Sequence, residues 1–590
     1  MAGFLILLAP LFAAITNMNE MATLWWWLFG LGVLGFLGLA AFHENISAKI
    51  RKLRMLIRID RDNLKRMDRK LRDLKVDSPI PEDFQSISRD LDLFGDNSLF
   101  KLLGIAKTPI GVETLTNWML QGADPASVSE RQDAVRSLVP LDDWRYRFQI
   151  LCEQLAASPT GPRDFVEWCQ QAGWLRSRSW ILWLSRIAAV STLVLIALTI
   201  FGIIPLAISA WLLLATVLVN FFLSVFYAGP VHDVFNQISS RYQETAAYKE
   251  LFENLRTCEA QATRLETLRE QLFHSGDTSI AMNSLGRYVW LANVRRHGFL
   301  FGLYLIAQLT LFWDLHVLER LEAWQVKYGK NAKDWFTALG EWEALNALAK
   351  CAWDHPDWTF PHVVAKNQNS QRIIGKRMGH PLLPQQSRVD NDLEMGPQGS
   401  FLLVTGSDMS GKSTLLRTIG LNVTLAQMGS AVCAEHFETP YVAIDTSMRI
   451  SDSLADGVSF FMAELKRLKE IVDHSSRYTE NSQQGHLFLL DEILQGTNSR
   501  ERQIAVAQVV RQLVDQGSIG AISTHDLELA GVDSLKNNCQ IVHFSESFEE
   551  QDGQEVMTFD YRMQPGVAPT TNALKLLELV GLGKGPQPSK

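Results

Sequence analysis

Cysteine is scarce in this sequence, and the cysteines it has are not paired. Six cysteines are scattered over 590 residues, and none forms a C-x-x-C motif. Closely spaced cysteines are the usual signature of a disulfide framework or of a zinc site. The sequence therefore predicts free thiols in a reducing compartment, with neither a disulfide framework nor a zinc site.

An excess of positive charge is absent as well. The chain has 56 Lys and Arg against 64 Asp and Glu, which gives a formal net charge of -8. This balance excludes a uniformly basic nucleic-acid coat, although a basic face confined to one region stays compatible with it. Hydrophobic residues make up 47% of the chain, enough for several domains with cores of their own, so disorder is not expected.

One stretch carries the clearest chemical signal. Phe401–Thr418 reads FLLVTGSDMSGKSTLLRT, which predicts a buried strand, a glycine-rich turn and a helix with the P-loop spacing G-x-x-x-x-G-K-S. Backbone N–H groups of such a loop converge on phosphate at the positive end of the helix. Lys412 is expected to reach the β- and γ-phosphates, and Ser413 to ligate Mg²⁺. The predicted nucleotide-binding residues of this loop are Gly406, Ser407, Asp408, Met409, Ser410, Gly411, Lys412, Ser413 and Thr414.

Two later strand ends complete the predicted ATPase chemistry. HLFLLDEI, at His486–Ile493, is an apolar strand that ends in two carboxylates. Asp491 is expected to hold Mg²⁺, and Glu492 to act as the base for the attacking water, because one carboxylate cannot serve freely in both roles. AISTHDLELA, at Ala521–Ala530, leads another strand to His525, and a histidine at a strand end after the two earlier motifs is predicted to be functional, with a structural histidine as the alternative. The predicted catalytic residues are Glu492, His525 and Lys412.

Four apolar runs predict two transmembrane hairpins. Phe4–Thr16 and Leu24–Phe42 form the first pair, and Ile187–Ala207 and Ile208–Ala228 form the second. The second pair lies in a stretch without charge between Arg186 and Asp233, long enough to cross a bilayer twice. A hairpin buried in a protein core is the alternative for this pair.

Basic residues flank the cytoplasmic side of both predicted hairpins. Under the positive-inside rule they place the C-terminal ATPase in the cytoplasm and the chain in an inner, or cell, membrane. The flanking residues are Lys49, Arg51, Lys52, Arg54, Arg176, Arg178 and Arg186. A fifth apolar run, Gly298–Trp313, is short for a span, and a crossing there would move the ATPase outside. We interpret it as a buried or interfacial helix.

The segment Lys49–Lys75 is basic and has apolar residues at heptad-like steps. A helix near anionic lipid, a coiled-coil stalk and a nucleic-acid contact all remain open for it, and its place directly after a membrane run favours the first two. Farther along, the sequence predicts an all-helical module over Asp83–Leu155, broken at Pro109–Gly111, and long helices over Val231–Ala347.

Several of these stretches resemble the MutS family of DNA mismatch-repair ATPases. Asn97–Leu138 is similar to the helical core of that family, including Arg131 before the Ala134–Val135 pair. Gly379–Leu382 resembles the family's Arg-His-Pro opening. SDSLADGVSFFMAEL, at Ser451–Leu465, resembles its signature segment, and TTNALKLLELVGL near the C-terminus resembles its dimerisation element.

The resemblance implies a fold and a mode of action. The fold class it implies is an α/β P-loop ATPase domain of the ABC/MutS type, preceded by an all-α core and lever region that carries the transmembrane hairpins. It also implies ATP and Mg²⁺ as ligands, His525 as the γ-phosphate sensor, and a homodimer in which Gly457 and Ser459 of one subunit complete the site of the other.

The sequence departs from the family pattern at several points. Ser407 and Asp408 replace the usual Pro-Asn of the loop, and Gly379 replaces the family Arg. Leu494–Thr497 differs from the family's Gly-Arg-Gly-Thr. We therefore expect ATP turnover to be slower or gated differently. The adenine-stacking aromatic before the loop is missing, and Tyr561 is our candidate substitute.

The predicted domain layout and function combine these observations. No mismatch-reading module is visible, so we expect a membrane-anchored ATPase whose nucleotide state moves lever and membrane helices. A membrane-tethered clamp on double-stranded DNA and a transporter-like ATPase are the alternatives, and a protein partner stays unknown.

The predicted domains are a hairpin (1–43), a basic helix (44–82), a helical core (83–175), a second hairpin (176–230), lever helices (231–370, apolar helix 298–313) and the ATPase with dimerisation helices (371–590).

Overall fold

The computed structural model divides between Lys70 and Leu71 into two compact units. It describes residues 22–75, 81, 84–156, 162–239, 242–274, 277–296, 300–365, 371–407, 409–449, 460–478, 483–494, 499–525, 532, 535–551 and 554–567. The first predicted apolar run, Phe4–Thr16, and the predicted dimerisation element therefore lie outside the described residues.

The described residues of the first unit form one long helix, α1, at Ala22–Met67. Apolar side chains of its first half are exposed, among them Leu31 and Leu39 at about 70%. The predicted spanning run and the predicted basic segment are thus continuous parts of one helix. The basic helix was expected to continue to Lys75, but it ends at Met67, because Arg69 adopts a left-handed φ of 57° that a helix cannot continue through.

The second unit begins with helices and ends with three sheets. Short 3₁₀ turns lie at Leu71–Asp73, Arg176–Arg178, Val294–Arg296, Gly329–Asn331, Ser476–Tyr478 and Lys536–Asn538. The α-helices before the sheets are α2 (Gln85–Asp90), α3 (Leu99–Leu103), α4 (Pro109–Gln121), α5 (Pro125–Leu138), α6 (Asp142–Ala156), α7 (Pro162–Gln170), α8 (Ser179–Ile200), α9 (Leu206–Ser239), α10 (Tyr242–Arg256), α11 (Thr263–Phe273), α12 (Thr278–Asn293), α13 (Phe301–Leu311), α14 (Trp313–Tyr328) and α15 (Ala332–Asp354).

Side-chain caps determine where several of the first helices begin. Ser98 accepts a hydrogen bond from Lys101 N before α3, and Thr108 accepts one from Gly111 N before α4. Asp124 accepts from two backbone N–H groups at the start of α5. Proline at the first position of α4 and of α5 fits a helix start, where its missing N–H costs nothing. The break predicted at Pro109–Gly111 is therefore the beginning of a helix.

A buried carboxylate joins the first helices to the last one before the sheets. Glu343 of α15 accepts hydrogen bonds from Thr108 N at 3.0 Å, from Lys107 N and from the Thr108 hydroxyl. Burial raises the pKa of Glu343. Gly340, one turn away, lets α15 approach α4 so closely that a Cβ there would lie 2.5 Å from Ile110. The helical module before residue 156 and α15 are therefore one packed body.

The second predicted hairpin is formed by α8 and α9. They pack against each other and are joined at Phe201–Pro205, where Gly202 has a φ of 69°. Trp211 and Phe226 are about three-quarters exposed, so the alternative of a hairpin buried in a protein core is wrong. With α1, the described part of the chain has three helices long and apolar enough to cross a membrane, judged by length and composition.

The fifth apolar run forms α13, which packs against both α8 and α9. No residue of α13 is buried, and Leu303 and Ile306 are each more than 60% exposed. The interpretation of this run as a buried helix is therefore wrong, and its interpretation as an interfacial helix stays a prediction. The chain bends by 83° between α13 and α14 at Phe312, which has a left-handed φ of 52°.

Three sheets are formed by the described residues of the C-terminal part. The six-stranded sheet has the order β12-β9-β4-β8-β7-β6, parallel except for β12, and a four-stranded sheet has the order β1-β5-β2-β3. β1 precedes residue 371, where we placed the start of the ATPase domain, and it pairs with β5. The strands are β1 (His362–Val364), β2 (Ile373–Met378), β3 (Asn391–Met395), β4 (Ser400–Thr405), β5 (His436–Pro440), β6 (Val442–Ser447), β7 (Gly485–Asp491), β8 (Ile519–Ser523), β9 (Cys539–His543), β10 (Glu546–Gln551), β11 (Gln554–Phe559) and β12 (Gln564–Pro565).

The six-stranded sheet and its helices form a mixed α/β fold, as predicted for a P-loop domain. Its helices are α16 (Lys412–Met428), α17 (Phe460–Ser475) and α18 (Ser499–Asp515). The central strands β4, β7 and β8 are buried almost throughout, which explains their continuous apolar sequence. In such parallel sheets, ligands bind outside the carboxyl ends of the strands. The glycine-rich loop follows β4, the acid pair follows β7 and His525 follows β8, so these three predicted motifs lie at that edge.

Candidate functional site

The glycine-rich loop follows β4 and leads directly into α16. Gly406 and Gly411 have φ values of 140° and 111°, a region that side chains rarely adopt. A Cβ on Gly406 would lie 2.6 Å from Phe544 O and 2.9 Å from Ser410 Oγ. Glycine is therefore required at this position both by the backbone conformation and by the space available.

Lys412 is the first residue of α16, and its side chain is 4% exposed. Its ammonium group donates hydrogen bonds to Gly406 O at 3.1 Å and Ser407 O at 2.8 Å. It lies 3.6 Å from Glu492 Oε1. The loop thus holds a positive charge at the N-terminus of a helix, where backbone N–H groups also favour an anion.

The predicted acid pair lies beside this lysine. Asp491 accepts a hydrogen bond from the Ser523 hydroxyl at the end of β8. Glu492 has a φ of 49°, and its N–H donates to Ser523 O at 3.1 Å, which turns its side chain away from the strand direction. Glu492 Oε1 lies 2.6 Å from His525 Nε2, and that nitrogen lies 3.4 Å from Lys412 Nζ. Strands β4, β7 and β8 therefore bring together the three predicted catalytic residues.

A cavity of about 1060 Å³ opens at this edge of the sheet. Eight of the predicted site residues line it: Met409, Gly411, Lys412, Ser413, Thr414, Asp491, Glu492 and Tyr561. Ser407 instead donates its hydroxyl to Glu546 Oε2 at 2.9 Å, and Ser410 is buried. Asp408, Gly457 and Ser459 lie outside the described residues.

The oxygen atoms offered by Ser413 and Asp491 suit a magnesium ion. Both residues line the same cavity, one from the start of α16 and the other from the end of β7. A hydroxyl and a carboxylate are hard ligands, and Mg²⁺ bound beside phosphates usually takes only one or two groups from the protein. The pair therefore fits the predicted metal, which would neutralise phosphate charge when bound.

Tyr561, our candidate for stacking on adenine, forms part of the cavity wall. Its side chain is stacked on Phe559 at 5.9 Å, and Tyr561 Cδ1 lies 3.3 Å from where a Cβ on Gly411 would be. Asn391 holds the segment by donating to Tyr561 O at 3.0 Å and accepting from Met563 N at 2.7 Å. An aromatic face is therefore fixed beside the phosphate loop.

Sequence reasoning missed several lining residues. Met378, His380, Asn391, Arg449, Glu464 and Phe544 line the cavity but were not among the predicted site residues. His380 accepts a hydrogen bond from Leu382 N at Nδ1, and burial, together with the Arg417 charge, lowers its pKa to about 4. It is therefore neutral at pH 7 and presents Nε2–H. The Gly-His-Pro turn was the signal that could have identified it.

Arg449 connects the cavity to the helical module. It donates to both carboxylate oxygens of Asp92, at 2.7 and 3.2 Å, just beyond α2. Asp90 accepts from the Thr446 hydroxyl, Met448 N and Arg449 N at 2.8 to 3.1 Å. Arg417 of α16 donates to Asp90 O at 2.9 Å. The α2 turn is therefore bonded both to the cavity wall and to the helix of the phosphate loop.

Comparison with known proteins identifies relatives of this C-terminal part. Residues 402–585 match the family model described as MutS domain V. Proteins named DNA mismatch repair protein MutS from Streptococcus pyogenes serotype M1 and from serotype M5 (strain Manfredo) are each 29% identical over 248 residues. The match covers 41% of this chain and 27% of each relative, so the chain spans about a quarter of the length of the relatives it matches.

Proposed function

Because residues 402–585 match the family model described as MutS domain V, we propose that this chain binds ATP with Mg²⁺ and hydrolyses it to ADP and phosphate. One observation carries the proposal. Lys412 and Glu492 line the cavity, and His525 approaches them from a third strand end, so that the three side chains lie within 3.6 Å of one another. That is the combination of phosphate-binding cation, base and sensor that the reaction needs.

Each residue then has a defined task. The loop glycines and Lys412 bind the phosphates, and Ser413 and Asp491 hold Mg²⁺. Glu492 accepts the proton of the attacking water, and His525, already within hydrogen-bonding distance of Glu492, orients that carboxylate and responds to the γ-phosphate. We propose that Ser459 of a second subunit completes the site in a homodimer, so that ATP holds the two subunits together.

We expect Tyr561 to contribute to nucleotide affinity by stacking on the base. Tyr561→Ala should raise the dissociation constant for ATP about tenfold, because base–aromatic stacking contributes on the order of 1–3 kcal/mol. Tyr561→Phe keeps the ring and should bind like the unmodified protein. Titration with a fluorescent ATP analogue checks both variants. An equal loss in both would implicate the hydroxyl, and no loss in the alanine variant would remove Tyr561 from the site.

We also propose that the chain is a multi-pass inner-membrane protein with its ATPase in the cytoplasm. The exposed apolar surfaces of α8 and α9 support it, since such surfaces are too large to leave in water. Buried Asn220, near the middle of the apolar part of α9, donates to Thr192 of α8 at 3.2 Å. Polar contacts of this kind join helices within a bilayer.

The position of α13 suggests that it enters this membrane part of the way. Beside α9, Arg296 donates to Asn236 at the charged end, and Leu309 O accepts from Asn220. Asn236 and Asn220 are about 24 Å apart along a helix. The flanking helices α12 and α14 meet, because Trp313 Nε1 donates to Leu291 O at 3.2 Å. The chain segments before and after α13 therefore meet on one side, which favours a re-entrant helix over a crossing.

Cysteine labelling in intact cells tests this topology. With an impermeant maleimide, Ile203→Cys, between α8 and α9, should react from outside, and Arg372→Cys, beside β2, only after lysis. Leu303→Cys on α13 should react only after detergent. The unmodified protein is the control, since five of its six cysteines are buried. Reaction of Arg372→Cys from outside would contradict a cytoplasmic ATPase.

For the physiological role, we favour a structural or signalling ATPase in which nucleotide state moves the lever and membrane helices toward protein partners. A net charge of -8 disfavours a large DNA footprint, and the few proposed spans disfavour a transport path. A membrane-tethered clamp on duplex DNA is the second candidate, because the matched relatives are named as DNA mismatch repair proteins.

ATPase rates of detergent-purified protein, with and without duplex DNA at two salt concentrations, distinguish these roles. A DNA clamp predicts stimulation that falls steeply as salt rises, because phosphate contacts release counterions. The favoured role predicts Mg²⁺-dependent hydrolysis that DNA leaves unchanged. Protein that neither binds nor hydrolyses Mg·ATP would overturn the proposed function altogether.

A further inference from the structure

Three metal-ligating side chains converge at the β6 side of the six-stranded sheet, away from the residues assigned to ATP. They are Asp445 of β6, His474 of α17 and His486 of β7. One ligand atom of each lies within 4.8 Å of the others. Asp445 Oδ2 is 2.5 Å from His474 Nδ1 and 3.0 Å from His486 Nε2. Both imidazoles therefore direct a nitrogen at the same carboxylate oxygen.

The second nitrogen of each histidine is also held. His486 Nδ1 lies 2.9 Å from Ser518 Oγ, and His474 Nε2 lies 3.3 Å from the Tyr478 hydroxyl. In metal sites, outer hydrogen bonds of this kind fix the ring orientation and the tautomer of each ligand. Tyr478 additionally stacks on the His486 ring, with centroids 5.9 Å apart. The two rings are therefore oriented by Ser518 and Tyr478.

Burial leaves one way into the cluster. The His486 side chain is 2% exposed and that of Asp445 13%, whereas the His474 side chain is 34% exposed. An ion could enter beside His474, and a water molecule could take the remaining position there. A site with two buried ligands and one partly exposed ligand is typical of a metal ion held by three protein ligands and one exchangeable ligand, such as water.

We propose that Asp445, His474 and His486 bind a divalent transition-metal ion of the Zn²⁺ type. Imidazole and carboxylate ligands suit Zn²⁺, whereas Mg²⁺ prefers oxygen ligands alone, so this site is chemically distinct from the pair Ser413 and Asp491. Tetrahedral zinc at about 2.0–2.1 Å from each ligand separates the ligand atoms by roughly 3.3 Å. The observed 2.5 and 3.0 Å require an opening of less than 1 Å. The scarcity of paired cysteines argued against zinc, but this ligand set contains no cysteine.

A nearby cation restricts the geometry of this site. Arg467 Nη2 lies 3.9 Å from Asp445 Oδ1, and Arg467 also donates to Thr446 O and to Glu470. The guanidinium therefore lies by the carboxylate oxygen that neither histidine contacts, which leaves Oδ2 for the metal. A histidine–aspartate hydrogen-bond network without metal is the competing explanation, and the experiment below separates the two.

A bound ion would stiffen the region beside the cavity. The site joins α17 to β6 and β7, and α17 also carries Glu464, whose carboxylate accepts from Leu494 N just after Asp491 and Glu492. β6 continues into Ser447 and Arg449 of the cavity wall. The metal would therefore hold α17 in place relative to the acid pair, in a structural role separate from the proposed chemistry.

The test uses full-length, detergent-purified protein carrying an affinity tag without histidine and prepared without chelator. We expect about one equivalent of zinc per chain by elemental analysis. After removal of that metal, added Co²⁺ should give the visible absorption bands of a tetrahedral site. Added Zn²⁺ should raise the midpoint of thermal unfolding.

Matched variants locate the ion. His474→Gln should lose stoichiometric metal and the cobalt spectrum while keeping its helical circular dichroism. His436→Gln, a change of the same type at an exposed histidine on β5, should keep both. Tyr478→Phe should weaken zinc binding by roughly 10–100-fold, because an outer partner is lost. Unmodified protein with neither bound metal nor a cobalt spectrum would overturn the proposal, whether or not it hydrolyses ATP, as would undiminished metal in His474→Gln.

Discussion

Replacing Glu492 by glutamine is expected to lower the rate of ATP hydrolysis by at least about 100-fold while ATP still binds. Glu492 Oε1 lies 3.6 Å from Lys412 Nζ and 2.6 Å from His525 Nε2, so the carboxylate is positioned among the groups that surround the reacting phosphate in our proposal. Glutamine has nearly the same shape but cannot accept the proton of the attacking water. The binding groups of the loop remain intact.

Single-turnover hydrolysis and nucleotide titration on the same preparation check this result. The dissociation constant for ATP should change by less than about threefold, since a group that acts only in the transition state contributes little to ground-state binding. Glu435→Gln is the matched control, because that carboxylate is 69% exposed and its loose ion pair with Arg377 is 3.9 Å long. A Glu492 variant that hydrolyses ATP at the normal rate would show that another group is the base.

The parts of this fold that were predictable from sequence are those with local signals. The apolar run before Gly406 and the glycine spacing after it predicted a strand, a loop and a helix, and the structure places β4 at Ser400–Thr405 and the start of α16 at Lys412. The apolar runs before Asp491 and His525 predicted strand ends as well. Strands β4, β8 and β7 are parallel neighbours, so their carboxyl ends lie at one edge of the sheet. Locating the three strand ends in the sequence was therefore enough to identify the residues that meet there.

Other features depend on contacts between distant parts of the chain, which no local pattern encodes. Glu343 is one of many acids in a helical stretch, and only its contacts with Lys107 and Thr108 show that it caps another helix. The α13 helix has the composition of a core segment, yet its surroundings leave it unburied. Tyr561 could be suggested as a site residue because the aromatic expected before the phosphate loop was missing. For Arg449 the sequence offered no comparable signal.

Among the contacts between distant parts of the chain, we expect the loss of those made by Asp90 to lower the stability most. Its side chain is 3% exposed and accepts three hydrogen bonds from the end of β6, from residues more than three hundred positions away. Asp90→Ala leaves two backbone N–H groups and a hydroxyl without an acceptor, and each costs roughly 1–3 kcal/mol when buried. We expect a total loss of about 4 kcal/mol, which would lower the midpoint of thermal unfolding of a unit as large as Leu71–Lys590 by about 4 °C.

Asparagine should be much less harmful at this position than alanine. It keeps an acceptor oxygen, and it removes a charge whose burial raises the pKa of Asp90, so the lost hydrogen bonds are partly offset. Asp96→Ala is the control, since that side chain is 89% exposed and forms only a 3.5 Å ion pair with Lys101 in the same segment. Surface pairs of this kind contribute about 1 kcal/mol or less. Equal midpoints in the Asp90 and Asp96 alanine variants would contradict the expected effect.

The same turn connects the cavity to the helices that precede the sheets. Arg449 lines the cavity and donates to Asp92, and Arg417 of α16 donates to Asp90 O, so a nucleotide that orders either arginine also restrains α2. Hydrogen exchange should therefore slow in Gln85–Leu103 when ATP binds, and Asp90→Ala should lose this protection even where nucleotide still binds. Protection that persists in Asp90→Ala would mean that the nucleotide state reaches the helical module by another route, because the bonds to the β6 end would then be dispensable.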